Sequence, residues 1–116
     1  MPTIIEIPGN APEAVSATLQ WEEEGVRLAL LRTERPKAMG NETLVVTRRL
    51  DLQPENVAYT MLQEFGANGP AEGDTDPHEL LFERLLSRLY EVTRDPSPSE
   101  PGVIARWQLR PLATSS

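Results

Sequence analysis

The chain has 116 residues, a net charge of −7 and no cysteine; 39% of it is hydrophobic and 25% charged. That balance predicts one globular domain over residues 1–116, and the absence of cysteine excludes disulfides, thiolate metal sites and cysteine nucleophiles. No apolar run approaches the ~18 residues of a membrane span, and no basic stretch followed by an apolar one opens the chain, so a cytoplasmic, membrane-free protein is expected.

Residues 3–7 (TIIEI) are short and β-branched, are stopped by Pro8 and Gly9, and predict a first strand. Residues 10–16 read as a loop. From Ala17 to Glu23 the chain alternates, with Ala17, Leu19 and Trp21 on one side and Thr18, Gln20 and Glu22 on the other. Val26, Leu28 and Leu30 resume the alternation after Glu23, Glu24 and Gly25, where glycine allows a tight turn. The two runs predict a hairpin. A further strand over 42–50 places Leu44, Val46 and Leu50 on one face together with Arg48.

Two helices follow. Pro54 suits a first helical position, and Gln53 stands as the cap between Leu52 and Val57. Val57, Ala58, Met61, Leu62 and Phe65 form a stripe at spacings of three and four, and Gly66 ends the helix. Asp76 caps the second helix, with Pro77 at its first position and Glu79 placed to complete a capping box. Leu81, Phe82, Leu85, Leu89 and Val92 carry its apolar face. After a proline-rich loop over 95–102, residues 103–109 alternate as a last strand, with Trp107 facing in; 111–116 read as a frayed tail. The expected fold is α+β: an antiparallel sheet of about five strands, order β-β-β-β-α-α-β, with two helices packed on one face. The last strand returns either beside an early strand or at an edge, and a partly closed barrel is an alternative.

Chemistry-bearing residues are sparse. The single histidine, His78, excludes a two-histidine metal motif, and Lys37 is the single lysine. Residues 54–93 hold eight acidic side chains against two basic ones. Such a surface repels nucleic acid and anionic membranes, and it favours a cationic protein partner. The reading that follows is a non-catalytic interaction domain docking on a larger partner through Glu55, Glu64, Glu79, Glu83 and Glu91, with no cofactor. In an extreme form these carboxylates would imitate a nucleic acid. An alternative is a small metal-dependent binder or enzyme. Glu72, Asp74 and Asp76 alternate ahead of Glu83 as the ligands of a calcium loop do, with His78 beside them; Pro77, however, stands where such a loop needs glycine. Arg35 and Lys37 form a candidate anion patch. Ile4, Leu31 and Ile104 face away from the expected core and could form a homodimer seam.

Overall fold

The computed structural model describes residues 1–7, 14–34, 43–70, 73, 75–95 and 100–112. Within them the chain forms β1 (Ala14–Glu22), β2 (Gly25–Glu34), β3 (Thr43–Leu52), α1 (Pro54–Phe65), α2 (Pro77–Ser87), β4 (Tyr90–Arg94) and β5 (Val103–Pro111). All five strands pair antiparallel in one sheet of order β3-β2-β1-β5-β4. The α+β class, the five-stranded antiparallel sheet and the two helices are as expected. The last strand inserts beside β1.

Alternation builds the core. Leu19 stands opposite Leu28 on one side and Ala105 on the other; Ala17 stands likewise between Leu30 and Trp107. These side chains are buried, and Leu81, Phe82, Leu85 and Leu86 of α2 close over them. α1 lies over β2, and α2 lies over β4 and β5. Apolar burial between the sheet and this helical layer is the main stabilising contribution. The opposite sheet face carries Thr18, Gln20, Arg27, Arg49, Asp51, Arg106 and Gln108.

Three local readings are corrected. Residues 3–7 are not a strand. They run extended across α1, where the Thr3 N–H donates to Asn56 Oδ1 and the Ile5 N–H to Thr60 Oγ1, both at 2.9 Å. Ile5 is buried, so the β-branched pattern found its half-buried surface on a helix instead of a sheet. α2 stops at Ser87, and Tyr90 to Arg94 form β4. Apolar residues at 85, 89 and 92 fit a helix, but Tyr90 and Val92 also fit a strand. Pairing with β5 satisfies that backbone and buries Tyr90. Third, Leu44 and Val46 do not share a face with Leu50. Leu30 pairs with Arg48 and Leu31 with Val46, so Thr47 is an extra residue in β3. The bulge reverses the alternation and leaves Leu44 and Val46 54% and 55% exposed on the open face.

Candidate functional site

The site grows out of the two helix starts and the β1–β2 turn. Gln53 precedes α1 but makes no side-chain cap bond. Asp76 does cap α2: its Oδ1 accepts the His78 backbone N–H at 2.7 Å. The same oxygen lies 2.9 Å from His78 Nδ1, so the imidazole is oriented by the residue that starts its helix. His78 meets the ring of Trp21 edge to face, centroids 4.9 Å apart. The alternation places Trp21 on the same side as Ala17 and Leu19. It does lie in the inward row, opposite Val26, but the row ends in the gap between the two helices and Trp21 stays 50% exposed.

α1 explains the gap. Its buried residues are Val57 and Thr60, and Leu62 remains 48% exposed although it belongs to the apolar stripe. Residues 1–7 cover the side of α1 that carries Asn56 and Thr60. The other side is an open groove of about 570 Å³, within the size range of ligand sites. It runs from Pro54 past Ala58, Met61 and Leu62 to Gly66, with Trp21 and His78 on the facing wall. Acidic side chains gather at its hairpin end. Glu22 and Glu23 line it, and Glu24 follows on the turn. Glu22 is held by Arg27 Nη1 at 3.0 Å and Gln20 Nε2 at 3.1 Å. Glu23 and Glu24 have no cation beside them among the described residues.

The acidic residues singled out in the sequence separate. Glu55 is exposed in the first turn of α1 and does not line the groove. Glu64 turns toward α2 and binds Arg84 Nε at 2.9 Å and also Arg88. Glu79 and Glu83 share Arg94, at 3.0 and 2.9 Å, and Glu83 also accepts from Trp107 Nε1 at 3.2 Å. Glu79 therefore faces β4 through Arg94. Glu91 is a strand residue, opposite Arg110. Glu72, Asp74, Arg35 and Lys37 lie outside the described residues. Asp76 and His78 do meet, yet no group of three or more metal-binding side chains assembles among the described residues. Of the candidate seam residues, Ile4 is exposed, Leu31 lies half-buried opposite Val46, and Ile104 packs partly buried against the core. The sequence places the groove residues Trp21, Met61 and Leu62 in apolar rows, without showing that the rows extend beyond the core. The one available signal was three acids directly after Trp21.

Glu64 and Glu79 are shifted in opposite directions. The hydrogen bond from Arg88, aided by Arg84, holds Glu64 below the usual carboxylate range. Burial pushes Glu79 up despite Arg94. Glu64 thus adds stability above the pKa of an unfolded glutamate, and that contribution disappears as pH falls through its lower folded value. Glu79 behaves oppositely, its burial penalty fading on protonation. Glu64→Gln is expected to cost about 0.5–1 kcal/mol at neutral pH, since its arginine partners are half exposed, and less at pH ~3. Glu79→Gln is expected to be neutral or stabilising at pH ~7. Urea unfolding at both pH values checks the pair; equal losses for both variants would contradict the assignment.

No family model matches the chain, and neither the curated proteins nor the solved structures contain a significant match. No described helix is long and apolar enough to cross a membrane.

Proposed function

We propose that the domain is a non-catalytic docking module whose α1 groove receives an apolar segment of a larger protein. One observation supports this most: α1 carries a five-residue apolar stripe and leaves its Leu62 side open beside a half-exposed tryptophan. Aromatic anchors that a partner buries fully are the usual energetic centres of protein interfaces. The groove follows the whole of α1, and its acidic end matches a cationic partner. This moves the docking surface from the outer helical carboxylates to the groove, because three of those carboxylates are engaged by arginines within the domain.

The test is affinity capture from nuclease-treated lysate with three baits. Wild type and Val46→Asp, altered on the open sheet face, are expected to retain a stoichiometric protein that Leu62→Asp loses at least about tenfold. Both exposed substitutions should leave the fold intact. Capture that survives Leu62→Asp, or no capture at all, would overturn the reading. A larger species on a sizing column that Leu62→Asp abolishes would replace the foreign partner by a second copy of the chain.

The competing reading, a small enzyme or metal binder built on Asp76 and His78, draws on the bond that orients the imidazole. A calcium-dependent rise in melting temperature would favour it.

A further inference from the structure

We infer that the hairpin end of the groove is an arginine site: the docked segment lays a guanidinium on Trp21, between the carboxylates of the β1–β2 turn and His78, and its apolar side chains continue over Ala58, Met61 and Leu62. This rests on the docking reading above and names the chemistry of the partner.

Four features of the geometry converge there. Trp21 offers half of its surface to solvent at a position whose row neighbours, Leu19 and Ala17, are fully buried. Aromatic surface of this kind attracts a cation by its quadrupole and a planar one by stacking as well. Glu23 lines the groove and Glu24 follows it on the turn, both without a described cation, so a guest charge would not have to displace an internal pair. His78 directs Nδ1 to Asp76, and Nε2 has no partner among the described residues; with the proton on Nδ1, Nε2 is an acceptor. Finally, no arginine or lysine among the described residues lines the groove. The end near Trp21 is therefore acidic and aromatic, while the end near Leu62 is apolar.

Arginine fits this arrangement better than lysine. Its flat guanidinium can stack on an indole while its five N–H groups reach acceptors on separate sides, here a carboxylate on the turn and an imidazole nitrogen on α2. A lysine ammonium supplies a point charge and no stacking plane. The segment is thereby given a direction, with its arginine at the hairpin and its apolar residues toward Gly66.

Two measurements test the site. In the first, isotope-labelled protein is titrated with N-acetylarginine amide, N-acetyllysine amide and N-acetylleucine amide while the Trp21 indole N–H and the His78 amide are followed by NMR. The arginine amide is expected to move both signals saturably and about threefold more tightly than the lysine amide, with the effect suppressed at about 0.5 M salt. The leucine amide is expected to move Ala58 and Leu62. A Trp21 signal that ignores the arginine amide, or responds equally in Glu23→Gln/Glu24→Gln, overturns the arginine site. In the second, Glu23→Gln/Glu24→Gln is used as bait. Both glutamates are exposed and without a described partner, so the variant is expected to fold, and its capture to weaken severalfold and lose much of its salt dependence. If this bait captures as well as wild type while Leu62→Asp captures nothing, the arginine site fails and the docking groove stands. If Leu62→Asp also captures normally, the groove itself is wrong.

Discussion

Replacing Gly25 by alanine is expected to destabilise the domain by roughly 3 kcal/mol, a fall in melting temperature of about 10 °C or more. Two independent penalties add. Gly25 has φ +111°, which side-chain-bearing residues rarely adopt. A methyl group there would also fall inside the contact shell of the Leu52 carbonyl oxygen, 3.1 Å from its carbon and 3.3 Å from Pro54 Cδ. Those are backbone and ring atoms at the β3–α1 junction, so relief requires the hairpin to withdraw from α1. Gly66 provides the control. It too has a positive φ, +81°, but nothing lies within 4 Å of an added methyl. Gly66→Ala should therefore cost the backbone strain alone, about 1–3 kcal/mol, and less than Gly25→Ala. Thermal unfolding of the two variants separates strain from collision, and equal losses would contradict the packing. The contact matters for the groove because it seats the acidic turn against the start of α1.

The two tryptophans should separate stability from docking. Trp107 is fully buried among core residues and donates to Glu83. Trp107→Ala is expected to cost about 3–5 kcal/mol through the cavity it opens, leaving the domain marginal or unfolded. Trp21→Ala removes a side chain that is half in water and should cost roughly 1–2 kcal/mol. It should nevertheless weaken partner capture by more than about tenfold, as loss of an aromatic anchor does. Acrylamide quenching of the wild type supplies an independent check, since Trp21 fluorescence should be accessible and Trp107 fluorescence protected. If Trp21→Ala unfolds the protein as Trp107→Ala does, Trp21 is a core residue and the groove loses its anchor.

The β1–β2 hairpin, the Pro54 and Pro77 helix starts, the Asp76 cap and the final strand were all legible, because each depends on a few adjacent residues with strong local preferences. The exchanged elements were not. Residues 3–7 have a strand's composition, and only the distant Asn56 and Thr60 make them a strap over a helix. Tyr90 and Val92 satisfy a helical and a strand period at once, and pairing with β5, remote in sequence, decides between them. The bulge at Thr47 has no glycine to announce it, so Leu44 and Val46 read as inward-facing. The groove was hidden for a related reason. An apolar stripe in a sequence shows that a helix has an apolar face, not that anything within the domain covers it. Similarly, a carboxylate on a helix does not show whether an arginine 20 or more residues away, as Arg84 and Arg88 are from Glu64, has already claimed it.

The central claim is that another protein occupies the α1 groove. It is tested most directly by placing a diazirine analogue of leucine at position 62 and, in a second protein, at position 44. Both sites are exposed leucines to similar extents, on opposite sides of the sheet, and the substitution is nearly isosteric. After irradiation in lysate, a discrete heterologous crosslink is predicted from position 62 and none from position 44. It should disappear when Trp21→Ala is added. A crosslink from position 44 alone, or none from position 62, would contradict the account.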